Sequence, residues 1–256
     1  MRYLFRAVYI SILLILPLSV SAQVNTERMR LERVENGFSG RISINFSLKS
    51  GNVEVFETGS GLRLQLDADK QRAFVVGNLN FAKNRSVKLI NRGFAHLRYN
   101  YLFRKSTRLE YFAQLEFNEF TRLFNRKLMG AGIKFDLYSG NDKGIYYGSS
   151  VMYESEHIDI LKDSQDVSRT NRFRWSNYLV IKWDSGNGSA LVNSIYIQPV
   201  FDEFNDIRIL DEFDLQAGIT SSLALVLSLR FRYDNLPPSG VKKADLEFMN
   251  SISYTF

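Results

Sequence analysis

Residues 38–48 read Phe-Ser-Gly-Arg-Ile-Ser-Ile-Asn-Phe-Ser-Leu. The even positions are Phe38, Gly40, Ile42, Ile44, Phe46 and Leu48, while Ser39, Arg41, Ser43, Asn45 and Ser47 fall between them. Successive side chains of a strand point to opposite faces, so this stretch predicts a strand with one greasy and one polar side. The same period of two returns along the chain. Leu62, Leu64 and Leu66 oppose Arg63 and Gln65, and Ala95, Leu97, Tyr99, Tyr101 and Phe103 oppose His96, Arg98 and Asn100. Leu109, Tyr111, Ala113, Leu115 and Phe117 oppose Glu110 and Glu116, and Leu223, Leu225, Leu227, Leu229, Phe231 and Tyr233 oppose Arg230 and Arg232. Twelve candidate strands emerge, and only the segment 190–201, mixed on both faces, is ambiguous.

The partition of charge says what such a sheet faces. Across the apolar faces Asp211 is the one ionisable interruption, while the opposite faces hold nearly every charge within the strands. Strands of a soluble sandwich usually run to about 5–6 residues. Here the alternation often persists longer, matching the roughly 9–11 residues that cross a bilayer at a tilt. Even strand number, apolar-out and polar-in faces and interfacial aromatics predict an all-β fold: a transmembrane antiparallel β-barrel of about twelve strands in meander order.

Composition alone points elsewhere. The chain has 256 residues, a net charge of +6, no cysteine, and 20 Phe, 13 Tyr and 2 Trp. Zero cysteine excludes a disulfide framework, a cysteine-containing zinc site and a cysteine nucleophile. The slightly negative mean hydropathy argues against a helical membrane protein and suggests a soluble domain, a suggestion the parity of the strands reverses. The basic excess is spread through the strands, so no nucleic-acid partner is expected.

The N-terminus gives the expected compartment. Arg2 and Arg6 precede an apolar stretch from Ala7 to Leu16, then Pro17 and Val20-Ser21-Ala22. This reads as a secretory signal peptide over residues 1–22, cleaved near Ala22/Gln23, with an uncleaved anchor as the rival. Residues 23–36, containing the charged run Glu27–Glu35, read as a lead segment, with a periplasmic helix or a lumen plug as alternatives; 37–256 form the barrel. With both termini periplasmic, the inner turns are Asp67–Arg72, Arg104–Thr107, Ser139–Gly144, Asp184–Gly188 and Thr220–Ser222. The outer loops include His157–Thr170, Asp202–Asp206 and Asp234–Lys243. Short inner turns and longer outer loops suit an outer-membrane barrel. The expected location is the outer membrane of a Gram-negative bacterium, with the chain a monomer among lipid and lipopolysaccharide.

The closing residues Ser251-Ile252-Ser253-Tyr254-Thr255-Phe256 look like the C-terminal signal read by the barrel-assembly machinery, with Tyr254 and Phe256 as its aromatics. The chain also resembles the YdiY-like, salt-stress-induced family of outer-membrane proteins, a domain of unknown function. The residues carrying the resemblance are GFAHLRYNY (93–101), LEYFAQLEFN (109–118), RKLMGAGIKF (126–135) and PPSGVKKADLEFMNSISYTF (237–256). It covers roughly residues 36–256 and implies an outer-membrane barrel linked to envelope stress. It carries no catalytic signature, so no functional residue transfers. The stretch Asn25–Asn36 departs from it.

The inward parity yields the candidate lumen lining: Arg41, Arg63, Arg92, His96, Arg98, Glu110, Glu116, Lys134, Asp136, Glu154, Arg174, Lys182, Glu212, Asp214, Arg230, Arg232 and Glu247. These charges either pair across the interior and close it, or line a narrow wet path with mild anion preference. Phe94, Phe112 and Tyr146 share that parity and lean towards obstruction. No cofactor, metal site or catalysis is expected. His96-Leu97-Arg98 and His157-Ile158-Asp159 both lack the His-x-Ser pairing through which imidazole could activate a hydroxyl in a lipid-remodelling enzyme. His157 with Asp159, Asp163 and Asp166 reads as a solvated outer loop. The function expected is that of a structural barrel or narrow small-solute channel. A lipid-remodelling enzyme, or a binding partner acting through its surface loops, is the alternative.

Overall fold

The computed structural model describes residues 36–49, 55–84, 87–162, 164–186 and 188–255. The expected signal peptide, residues 23–35 of the lead, Asp163 and Phe256 lie outside the described residues. Twelve strands follow one another in chain order: β1 (Gly37–Lys49), β2 (Val55–Ala68), β3 (Gln71–Asn84), β4 (Val87–Arg104), β5 (Thr107–Asn118), β6 (Leu123–Ser139), β7 (Lys143–Ile158), β8 (Arg169–Asp184), β9 (Ala190–Pro199), β10 (Ile207–Gly218), β11 (Leu223–Asp234) and β12 (Ala244–Thr255). Each pairs antiparallel with its neighbours, and β1 pairs with β12, so the sheet closes into a meander barrel. Closure removes the sheet edges, and in a chain without cysteine it is the device that ties the two ends together.

Parity sorts the side chains as the alternation requires. Outside, Phe38, Ile44, Phe46, Leu62, Leu97 and Phe248 stand exposed. Inside, Arg63, Arg98, Glu110, Lys134, Glu154, Arg174 and Glu212 are buried, Lys134 and Glu212 completely. This protein is therefore inverted relative to a soluble domain, with its apolar surface outward and its charge in the middle.

One end of the barrel has tight connections. Residues 69–70 join β2 to β3, and Asp69 there takes the left-handed conformation that aspartate tolerates in turns (φ 45°). The side chain of Asn36 accepts from the Asp69 backbone N–H at 2.5 Å and donates to its carboxylate at 3.1 Å, fixing the start of β1 beside this turn. The other end carries the longer connections 159–168, 200–206 and 235–243, although 119–122 is short and only residues 85–86 separate β3 from β4.

The strands at this second end run further than the alternation suggested. β4 starts at Val87 and β6 at Leu123, because apolar and polar residues mix on both faces there and the period of two fades while the backbone ladder continues. His157, expected in a loop, is the penultimate residue of β7 and packs its ring 5.0 Å from Phe124. Lys127 thereby joins Asp211 as a charge on the outward face. Asp211 lies within β10 and accepts a hydrogen bond from the Asn193 amide of β9 at 2.7 Å, which offsets the cost of its outward position.

The closing seam is the shortest pairing among the described residues. There β1 meets β12 over Arg41–Ile44 and Ile252–Thr255, whereas β1 and β2 pair along their whole length. Ser43 and Ser253 stand directly opposite one another on this seam. Opposed Cα atoms of an antiparallel pair lie about 4.5–5.5 Å apart, within disulfide reach. The double variant Ser43→Cys/Ser253→Cys, in a chain otherwise free of cysteine, is expected to form an intrachain disulfide on mild oxidation. Non-reducing gel mobility checks it; free thiols persisting in the folded protein would contradict closure at this register.

Candidate functional site: the lumen and its long-loop mouth

The inward side chains form three tiers. At the tight-turn end, Arg63 donates to Gln65 (2.9 Å), Gln65 donates to Asp67 (2.7 Å) and Arg72 pairs with Asp67. The Arg63 guanidinium lies 4.0 Å from the centroid of the Phe74 ring, a cation–π contact that helps a buried charge. Arg108 and Asp136 form a further pair at 2.7 Å.

Rings fill the waist. His96 stacks between Phe74 and Phe112, with centroids 6.3 and 6.1 Å away, and its Nδ1 lies 3.0 Å from the Gln114 amide oxygen. The Tyr178 hydroxyl of β8 donates to Glu110 of β5, crossing the lumen with β6 and β7 between those strands in the sheet. The Arg98 guanidinium sits 5.4 Å from the Phe112 ring and 5.7 Å from that of Tyr178. Fully buried Lys134 lies 4.8 Å from the Tyr146 ring. Glycine makes this crowding possible. A Cβ at Gly148 would collide with the Tyr178 ring and one at Gly130 with the Phe112 ring, so Gly148 on β7 and Gly130 on β6 are recesses into which an aromatic lies. Beside them Tyr178, Val180, Tyr196 and Leu210 make an apolar cluster inside the barrel, with Tyr146 and Val192 packed on it.

Towards the long-loop end the charges form a web. Arg126 lies 3.6 Å from both Glu116 and Glu154 and also pairs with Glu156. Arg208 reaches Glu154 at 2.6 Å, Glu156 at 2.9 Å and Asp234 at 2.8 Å. Arg174 joins Glu154 at 2.8 Å and Asp206 at 2.9 Å. Glu247 of β12 receives Arg92 of β4, a contact spanning the lumen, and Arg230 at 3.4 Å; Arg230 also pairs with Glu212. Arg41, Asp136, Lys182 and Asp214 are half-buried, and Lys182 leans 3.4 Å from Asp184. Arg41 donates from Nε to the Thr255 hydroxyl at 3.1 Å across the closing seam.

The structure adds members that sequence reading passed over. Asp67, Arg72, Arg126 and Asp206 belong to the buried network. Arg126 carries the inward parity, so the signal for it was present, and Arg208, which that parity already places inside, joins them. Tyr178, Val180, Tyr196 and Leu210 also share it, but an apolar residue at an inward position looks like noise until its neighbours are known.

The mouth is tied by a clasp. The Arg122 guanidinium donates to the Ser239 carbonyl oxygen (2.6 Å) and lies 3.4 Å from Asp166, while the Ser239 backbone N–H and hydroxyl both donate to Asp166 at about 3 Å. Three connections, 119–122, 159–168 and 235–243, are thereby joined. Asp166 spends its carboxylate on this clasp. Among the described residues no group of three metal-ligating side chains forms.

Desolvation pushes the Asp166 carboxyl up, but the hydrogen bonds from Ser239 and the Arg122 charge outweigh it and hold the carboxyl below its ordinary value. A depressed folded-state pKa stabilises the clasp above the ordinary Asp value of about 3.9, and the contribution disappears as pH falls through the depressed value. Hydrogen-exchange protection of the Ser239 amide, corrected for intrinsic rates, is expected to hold down to about pH 4 and fall below it. Asp166→Asn should weaken that protection already at neutral pH. Protection unchanged in the variant and throughout the acid range would show that the carboxylate does not hold the clasp.

The comparisons agree with this architecture. The fold resembles a solved outer-membrane channel from Pseudomonas putida F1 at TM-score 0.50 and 10% identity, covering 91% of this chain and 99% of that one. It is also similar to the NanC porin (TM-score 0.47, 11% identity, 86% and 98% covered) and to a bacterial polysaccharide outer membrane secretin (0.45, 8%, 88% and 99%). No curated protein matches. The family described as protein of unknown function, DUF481, matches residues 42–256, nearly the whole described barrel, and the chain belongs to that family.

Proposed function

We propose that this chain is an integral barrel of the Gram-negative outer membrane, structural in role, with its lumen closed to free solute passage in the state described. The observation that carries the reading is the inversion of the molecule: exposed apolar side chains outside and a paired, buried charge network inside. Outward Phe38, Leu62, Leu97 and Phe248 suit hydrocarbon, whereas an arginine facing lipid at mid-depth would cost about 2–4 kcal/mol. The shared fold with an outer-membrane channel supports the same placement. In this placement the tight turns face the periplasm, the clasped loops face outward, and the chain stands as a monomer among lipid and lipopolysaccharide. The barrel-assembly machinery reads the Tyr254–Phe256 end. The sequence resemblance adds envelope stress as the setting.

A closed lumen is supported at the waist, where Phe74, His96 and Phe112 stack on neighbouring β3, β4 and β5, Tyr178 reaches from β8 to Glu110, and Arg98 sits by the Phe112 and Tyr178 rings. A narrow channel remains the second reading, since paired side chains can yield a path by rotamer change. A lipid-remodelling enzyme fits less well. His96 is shut inside between two rings, and His157 packs its ring on Phe124.

Planar-bilayer recording of the purified, folded protein separates these readings. The wild type is expected to show no sustained openings, and Phe112→Ala/Tyr178→Ala, which empties the waist, is expected to conduct. Stable openings of the wild type would overturn the closed-lumen reading in favour of the channel.

A further inference from the structure

Beneath the clasp lies a cavity of about 60 Å³ at the long-loop mouth. Its cationic wall is Arg126, Arg208, Arg232, Lys242 and Lys243, set against Glu156, Asp234 and Asp245. Arg126 and Arg208 are consumed by carboxylates of the web. Arg232 is different. It is 9% exposed, and its Nε and Nη2 have no hydrogen-bond partner among the described residues.

The nearby acids are already engaged: Glu116 lies by Arg126, Glu212 pairs with Arg230, and Glu247 is shared by Arg92 and Arg230. Asp245 is the register partner of Arg232 on β12, yet those two nitrogens stay unsatisfied. A buried guanidinium left unpaired is costly, and its planar fork matches the two oxygens of a carboxylate or phosphate.

We propose that this mouth is a binding site for the oxyanion head, carboxylate or phosphate, of a small solute, held by Arg232 with Lys242 and Lys243 at the rim. The cavity has room for an acidic head and little more. Pro237, Pro238 and Val241 form an apolar roof against which the body of such a solute packs. The site stands on the geometry of the mouth and does not depend on whether the lumen conducts.

Calorimetric titration of the full-length barrel, folded in detergent micelles, with inorganic phosphate and with benzoate at constant ionic strength tests it. Saturable one-site binding is expected. Arg232→Gln should weaken it about tenfold or more, the loss of one charge-assisted contact, with Arg232→Lys intermediate. Lys70→Gln, in the tight turn between β2 and β3, should leave it unchanged. If Arg232→Gln does not fold, Lys242→Gln/Lys243→Gln on the exposed rim decides, with a several-fold weakening expected.

Adding lipid A to the micelles separates the sources. Displacement of phosphate identifies a lipid headgroup as the natural anion, and undiminished binding a free solute. No saturable binding by the wild type overturns the proposal, as does unaltered binding by a folded Arg232→Gln variant or, where that one does not fold, by Lys242→Gln/Lys243→Gln.

Discussion

The pairing of buried charge inside the barrel is the interaction on which the remaining structure depends. A sheet that shows hydrocarbon-like side chains to the outside has one place left for arginine and glutamate, its inner face. Once inside, each charge loses hydration, and only partners recover that loss. Taking one member from a buried pair costs about 3–5 kcal/mol, so the web is both a support and a constraint. It explains why Glu154 collects Arg126, Arg174 and Arg208, and why Arg92, set in register between Asn80 and Asn118, reaches across the lumen to Glu247. It also makes Arg232 conspicuous as the guanidinium at the mouth with two unsatisfied nitrogens.

Strand number, closed meander order and the inward or outward faces of eleven of the strands were legible in the sequence, because a period of two is a local property. Two departures from the pattern turn out to be one feature. The segment 190–201 read as mixed because Val192 and Tyr196 of β9 face an apolar cluster inside, while Asn193 faces outward to hold Asp211. Neither residue makes sense on its own strand. Asp211 looked like an anomaly of β10 and nothing in the mixed segment 190–201 marked Asn193, and the register that sets them side by side exists only in the folded sheet.

What parity cannot deliver is who meets whom. Arg92 and Glu247 are 155 residues apart, and nothing local marks either as the other's partner. Closing the barrel sets β4 and β12, with β1, β2 and β3 between them in the sheet, close enough across the interior for two long side chains to meet. The same holds for Tyr178 and Glu110, and for the recesses at Gly130 and Gly148, whose purpose appears only when the rings of Phe112 and Tyr178 lie in them. Strand ends were also lost, because beyond the apolar belt the ladder continues without an alternating pattern to announce it.

The claim that the lumen is held shut by charges pairing across it is tested most directly by a double-mutant cycle on Arg92 and Glu247. Reversible urea unfolding of the lipid- or detergent-embedded barrel would be compared for the wild type, Arg92→Gln, Glu247→Gln and the double variant. A pair in direct contact predicts that the double variant loses less than the sum of the single losses, with a coupling above about 1 kcal/mol. Strictly additive losses would mean that Arg92 and Glu247 do not meet, and would contradict a lumen closed by its own ion pairs.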